Sequence, residues 1–283
     1  SDLTLVVDDK TGELVRADAQ NIVVENALNA PGTGVTRQPD PTKADPQVQA
    51  VVDQYVTKSA PLANKVVGKI QGDLLRTATP LGETPLGDVI ADAQLAATSS
   101  TATGGAQVAF MNSGGVRADL KVADISSGGE APGEVTYGEA FTVQPFGNSL
   151  VTKTMTGAQI RLLLEQQVPG CGGQTNARTL QISSTLTYER GPAPATGTPT
   201  AEQCAAQIGK IWIDGTEVTP TATYRVTMNN FLASGGDGFT VFNQGTDSLG
   251  GAQDIDAFVA YLTAAGTTGV AVPTLDRIVA KPA

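Results

Sequence analysis

The spacing of apolar residues changes several times along this chain, and each change marks an element. Leu3, Leu5 and Val7 alternate with polar residues, Lys10-Thr11-Gly12 supplies a turn, and Leu14 to Val24 returns in extended form. This pattern predicts strands over residues 1–28. From Pro31 to Pro46 proline, glycine and threonine dominate without periodicity, which reads as a linker. Asp45 then stands as a helix cap before Pro46, and Val48, Val51, Val52 and Tyr55 fall on one helical face. A second helix is predicted from about Pro85 to Ala97, burying Leu86, Val89, Ile90 and Ala93. Residues 106–111 form a short apolar strand that stops at Asn112-Ser113-Gly114-Gly115. A strand over 149–155 runs into Thr156-Gly157-Ala158-Gln159, a capping box opening a helix through Ile160, Leu163 and Leu164. Strands at 208–213 and 223–229 flank Asp214-Gly215, a hairpin signal, and a helix near 254–264 gathers Ile255, Phe258, Val259 and Leu262. GPAPATGTPT at 191–200 reads as a low-complexity surface loop. Strands and helices mix without regular alternation, which places the fold in the α+β or mixed α/β class.

Composition narrows the chemistry. With 28 acidic and 18 basic residues the net charge is −10, and no Lys/Arg block breaks the acidic surface. Polymeric nucleic acid, bound through clustered cations, is thereby disfavoured; a mononucleotide held by one or two local arginines is not. No apolar run approaches the roughly 18–20 residues of a membrane span, and no basic-then-apolar leader follows Ser1. Histidine is absent from all 283 residues. That excludes Ser-His-Asp and Cys-His mechanisms and most di-metal phosphatase sites. Cys171 and Cys204 lack the neighbouring ligands of a metal site. They are either a disulfide, worth roughly 3–4 kcal/mol by loop closure, or two unrelated buried thiols. A bridge would imply an oxidising compartment: extracellular, periplasmic or at the cell wall.

Three loops carry candidate binding chemistry. In NSGGVR (Asn112 to Arg117) the glycines let backbone approach a ligand and the arginine can pair with an anion; a plain structural turn fits the same residues. In NNFLASGGDGFTVF (Asn229 to Phe242) Phe231 offers a stacking face and Asp237 an acceptor for adjacent sugar hydroxyls. The plainer alternative makes Phe231 core and Asp237 a turn residue. In QPFGNS, Phe146 sits between Pro145 and Gly147, either at a loop tip or filling the core. Two loop aromatics could sandwich a flat base.

Read in order, NSGGVR, VTYGEAFTVQPFGNSLVTKTMTGAQI and NNFLASGGDGFTVF resemble the C-terminal domain of the 5'-nucleotidase family, which includes ecto-5'-nucleotidases and bacterial UDP-sugar hydrolases. The resemblance runs from about residue 60 to 279. It implies that Phe146 and Phe231 sandwich a base and that Asp237 holds ribose. It also implies that Asn112 and Arg117 contact substrate while Gly114 and Gly115 shape the backbone. Family members usually carry a further arginine just before the segment matching GETPLGD; here that stretch reads TATPLGE, and Arg76 lies several residues too early.

The resemblance further implies a larger whole. Residues 1–30 resemble the last strands of a metallophosphatase domain, 31–46 a linker, and 47–283 the nucleotide-binding domain. Two divalent metals are expected in the separate phosphatase domain, and none in this chain. The chain alone is expected to be catalytically inactive. Its expected partners are a nucleoside or nucleotide, adenosine-type favoured, and its own metallophosphatase domain. The alternative is an extracellular surface or interaction module that keeps the fold without nucleotide hydrolysis. A hydrolase using carboxylates alone is disfavoured, since no close Asp/Glu pair sits in a Gly-rich loop with a nucleophile nearby.

Overall fold

A computed structural model describes residues 1–22, 28–30, 35–37, 42, 44–126, 128–192 and 198–282. The chain divides into two units, Ser1–Ser59 and Ala60–Ala283. In the first, strand β1 (Asp2–Val7) pairs antiparallel with β2 (Leu14–Gln20), as the alternation predicts. Positions 23–24 of the predicted return strand lie outside the described residues. Within the stretch expected as linker and its approach, β3 (Leu28–Ala30) pairs antiparallel with β4 (Val35–Arg37). Helix α1 (Pro46–Ala63) opens at Asp45, whose Oδ1 accepts hydrogen bonds from the backbone N–H of Gln47 and Val48. Its apolar face, Val48, Val51, Val52 and Tyr55, is exposed.

The second unit is built around a five-stranded sheet. Its strands are β6 (Val108–Asn112), β8 (Ser149–Thr156), β9 (Leu180–Ile182), β13 (Thr223–Asn229) and β14 (Thr246–Gln253), in the order β14-β8-β13-β6-β9. Only β6 and β13 run parallel; the other neighbours are antiparallel. Strand β6 is buried on both faces, and its period of two divides the interior. Val108 and Phe110 enter one core, while Ala109 and Met111 enter another.

The first core lies against helix α4 (Gly157–Glu165) and a four-stranded sheet of β10 (Leu186–Arg190), β11 (Ile208–Ile213), β12 (Thr216–Glu217) and β15 (Ile278–Ala280). The second lies under α2 (Pro85–Thr98), α3 (Tyr137–Val143) and α7 (Asp254–Ala264), beside the pair β5 (Val66–Lys69) and β7 (Glu134–Thr136). The expected α2 residues Leu86, Val89, Ile90 and Ala93 are all buried, and the Thr156 capping box is formed in full. One expectation is corrected. The turn at Asp214-Gly215 has the positive φ angles of a tight hairpin, but it joins β11 to the short β12. Strand β13, read as the second arm, crosses instead to the five-stranded sheet, where Val226 and Met228 fill the first core.

Cys171 and Cys204 form a disulfide, tying the segment after α4 to helix α5 (Ala201–Ala206). Residues 193–197 of the loop read at 191–200 lie outside the described residues. Replacing both cysteines with serine is expected to lower stability by about 3–4 kcal/mol, the value for a loop of this length. Urea denaturation measures it; an unchanged midpoint would show that the bridge adds nothing.

Candidate functional site

Strand direction assembles the site. Because β6 and β13 are parallel neighbours, Asn112 and Asn229 end them at the same edge of the sheet. Antiparallel β8 and β9 begin at that edge, with Leu150 opposite Asn229 and Leu180 opposite Asn112. Four loops therefore converge there: the turn after β6, the turns after β13, and the residues just before β8 and β9. Ligands of open sheets with parallel strands bind outside their carboxyl ends for the same topological reason.

A cavity of about 370 Å³ opens between these loops. It is lined by Asn112, Gly114, Gly115, Arg117, Phe146, Phe231 and Asp237, which are all seven residues singled out in the sequence. Neither aromatic is core: Phe146 is 57% exposed and Phe231 43%. Two glycines keep the wall close-packed, and at Gly236 the neighbour includes the Phe231 backbone carbonyl, which cannot give way. A Cβ on Gly115 would lie 2.5 Å from Met111 Cε, and one on Gly236 would lie 2.6 Å from the Phe231 ring. Arg117 turns back so that its Nη1 donates to the Gly114 carbonyl at 3.0 Å, and its guanidinium lies 5.8 Å from the centre of the Phe146 ring. That distance suits a cation–π contact, which biases the exposed ring toward one side of the cavity.

Asp237 is the polar centre. Its backbone is left-handed, with φ of 56°, a conformation that costs a non-glycine residue energy although aspartate tolerates it better than most. Three contacts hold it. Gln174 Nε2 donates to its carbonyl at 2.9 Å, Asn112 Nδ2 donates to its Oδ2 at 3.1 Å, and Arg178 Nη1 lies 3.4 Å from its Oδ1. Asn112 is itself oriented by Asn229, whose Nδ2 donates to Asn112 Oδ1 at 2.9 Å while its own Oδ1 caps α6 (Asn230–Ala233). The chain Asn229–Asn112–Asp237 thus aims a carboxylate into the cavity from two strand ends.

Two further lining residues, Asn148 and Arg178, escape sequence reading. Asn148 belongs to QPFGNS and is held by α7, donating to Asp254 Oδ2 at 3.2 Å. Burial pushes the Asp254 carboxyl above its ordinary value. Arg178 precedes β9 in a segment without a motif, so only the Asn112–Leu180 register brings it to the cavity. Arg76, the remaining arginine considered for this site, does not line the cavity. Its Nε pairs with Asp119 at 3.3 Å and its Nη1 donates to the Val116 carbonyl at 3.5 Å, so it braces the loop that carries Arg117. Nor is there space at Gly82, the first residue of GETPLGD: a Cβ there would collide with the side chain of Thr179.

The sequence profile described as 5'-nucleotidase, C-terminal domain, matches residues 66–244. The chain belongs to this family. Among solved structures it resembles the 5'-nucleotidase precursor of Thermus thermophilus, with a TM-score of 0.66 and 27% identity over 99% of this chain and 50% of that one. Among sequences, the Cell wall protein Lmo0130 of Listeria monocytogenes is 31% identical over 93% of this chain and 31% of its own length. Endonuclease YhcR of Bacillus subtilis is 28% identical over 90% of this chain and 18% of its own. The chain thus spans less than a third of the length of these two relatives. The α+β architecture is that of 5'-nucleotidase C-terminal domains. Among the described residues no group of three or more His, Cys, Asp or Glu could hold a metal ion. Nor is any described helix long and apolar enough to cross a membrane.

Proposed function

We propose that this 5'-nucleotidase C-terminal domain holds the nucleoside part of a nucleotide, with the base between Phe146 and Phe231 and the ribose hydroxyls on Asp237. The observation that carries the proposal is the meeting of two half-exposed phenylalanines, from loops far apart in sequence, with an oriented carboxylate in one cavity. Stacking supplies sequence-tolerant affinity for a flat ring. A carboxylate with fixed orientation accepts from two vicinal hydroxyls. Arg117 and Asn112 frame the same space, with Gly114 and Gly115 keeping the wall low. The adenosine type of ligand is the first to test. Phosphate cleavage is assigned to a separate metal-bearing domain, for which this one positions the substrate. A location outside the cytosol agrees with the disulfide.

The Asp237→Ala variant tests the sugar half of this reading. Calorimetry is expected to show adenosine binding weakened by about tenfold or more, the loss of hydrogen bonds to a charged group, with free adenine changed less than twofold. Equal affinities of the variant and the parent for adenosine would overturn the role given to Asp237. Absence of any nucleoside binding by the parent would favour the surface-interaction module instead.

A further inference from the structure

We propose that Gln174 is a positioning residue: it holds the Asp237 carboxylate in its sugar-binding orientation from behind the cavity, and the Cys171–Cys204 disulfide holds Gln174. This inference rests on the nucleoside reading above and adds to it a residue that touches no ligand. Gln174 is buried and is not among the residues lining the cavity. Its Nε2 donates to the Asp237 carbonyl at 2.9 Å, while its Oε1 accepts from the backbone N–H groups of Thr175 and Asn176 at 3.1 and 3.4 Å. The amide is therefore fixed at its own end and reaches across to the loop after β13.

The carbonyl it grips belongs to the turn that aims the carboxylate. Asp237 has φ of 56° and ψ of 17°, Gly238 has φ of 83°, and the Phe239 N–H donates to the Gly236 carbonyl at 3.1 Å. Two successive positive φ angles closed by that bond have the signs of a type I' turn. A type I turn closes the same bond with both φ negative, at less cost to an aspartate. The turn's own bond leaves its central carbonyl unpaired, and Gln174 supplies the partner. The same amide packs on Gly238, where a Cβ would lie 3.0 Å from both its nitrogen and its oxygen. Asn112 and Arg178 contact the Asp237 carboxylate, whereas Gln174 holds the backbone that carries it.

The disulfide anchors the segment that carries Gln174. Cys171 stands among Gly170, Gly172 and Gly173, all at positive φ, a stretch with much conformational freedom to lose. Val168, Cys171 and Cys204 form a small apolar cluster apart from both large cores, so the bridge stands in for core packing here. From Cys171 the path to the site is short. The Gln174 N–H donates to the Cys171 carbonyl at 3.0 Å, and the Gln174 carbonyl accepts from the Gly170 N–H at 2.7 Å. Gln166 grips the same loop a second time. Its Nε2 donates to the Gly172 carbonyl at 2.9 Å and to Thr240 Oγ1 at 2.8 Å, and its Oε1 accepts from the Val241 N–H at 3.2 Å. The bridged segment thus clasps the Asp237 loop at two points. Opening the bridge leaves both clasps on a glycine-rich stretch and loosens the hold on Asp237.

The test is calorimetry of the full chain and its variants with adenosine and with 2',3'-dideoxyadenosine, which keeps the base and lacks both hydroxyls. The parent is expected to prefer adenosine by about tenfold, the range of hydrogen bonds to a charged group. Gln174→Met removes donor and acceptor together; Gln174→Glu keeps the acceptor for Thr175 and Asn176 and loses the donor. In each the preference should fall by about threefold or more, with dideoxyadenosine affinity within about twofold of the parent. In the Asp237→Ala background Q174M should change adenosine affinity by less than about twofold, because both residues act through one interaction. The Cys171→Ser, Cys204→Ser double variant should lower the preference in the same way. A preference unchanged in either Gln174 variant, or a further loss in the D237A background, overturns the positioning role and leaves the nucleoside reading standing. A preference unchanged in the cysteine double variant overturns the part given to the bridge. Equal binding of both ligands by the parent overturns the ribose role of Asp237 and this inference with it, and failure to bind either overturns the whole nucleoside reading. Urea midpoints show which variants fold, and Q174E carries the comparison if Q174M does not.

Discussion

Replacing both Phe146 and Phe231 with alanine is expected to abolish measurable adenosine binding while leaving the fold intact. Each base–aromatic contact is worth on the order of 1–3 kcal/mol, so a single truncation should weaken binding about five- to a hundredfold. The double variant should lose both faces of the slot. Stability should change little, because both rings are half exposed and neither belongs to a core cluster. Fully buried Phe110 or Phe242 would behave oppositely, since removing a buried phenylalanine costs about 3–5 kcal/mol. Calorimetry of the two single variants and the double variant, with urea denaturation alongside, checks both halves. Adenosine affinity within twofold of the parent in the double variant would refute the stacking slot.

The second large effect lies in a buried charge cluster between α2 and the end of β9. Asp88 and Asp92 approach the guanidinium of Arg277, while Glu83 holds its backbone. Asp92 takes the guanidinium in paired hydrogen bonds at 2.7 and 3.1 Å, and the Glu83 carboxylate accepts from the backbone N–H of Arg277 and Ile278. Asp88 is left with a 3.5 Å approach from Arg277 Nε and no ordinary hydrogen bond. Burial foremost, with the charges of Glu83 and Asp92 added and Arg277 opposing, pushes its carboxyl from 3.8 up to about 9. The folded state therefore keeps a proton that the unfolded chain has released at every pH between those values. Stability from this site is full below pH 3.8 and drains as pH rises toward 9, by at most about 1.4 kcal/mol per unit.

Asparagine cannot titrate, so Asp88→Asn removes this slope. Between pH 5 and pH 8 the stability difference should move in favour of D88N by up to about 4 kcal/mol, read from urea midpoints at each pH. A difference that stays constant across that range would mean that Asp88 is ionised in the folded protein.

Much of this was legible because local signals and tertiary role agreed. The apolar face of α2, the capping box at Thr156 and the abrupt end of β6 at Asn112 each follow from a few neighbouring residues. The neighbours of Phe146 and Phe231 left a core and a loop position equally open, and it was the resemblance that singled them out. What stayed hidden depends on partners distant in sequence. Strand β14 reads TDSLGGAQ, with no apolar alternation and every residue exposed, because it is an edge strand holding on by backbone pairing with β8. The partner of β13 could not be read from the turn before it, since β11 closes its hairpin within two residues. Arg178 and the cluster at Arg277 are set by register and crossing rather than by motif. The face of α1 is periodic yet exposed, so periodicity identified the helix without identifying what it covers.

The most direct test of the nucleoside slot is an amide-resonance titration of the full chain with adenosine. The account predicts saturable shifts at Gly114, Gly115, Arg117, Gly147, Phe231 and Asp237, where strand ends meet the cavity. Saturable shifts confined to the separate groove lined by Gly157, Arg161 and Val218, or no saturable shift anywhere, would contradict it.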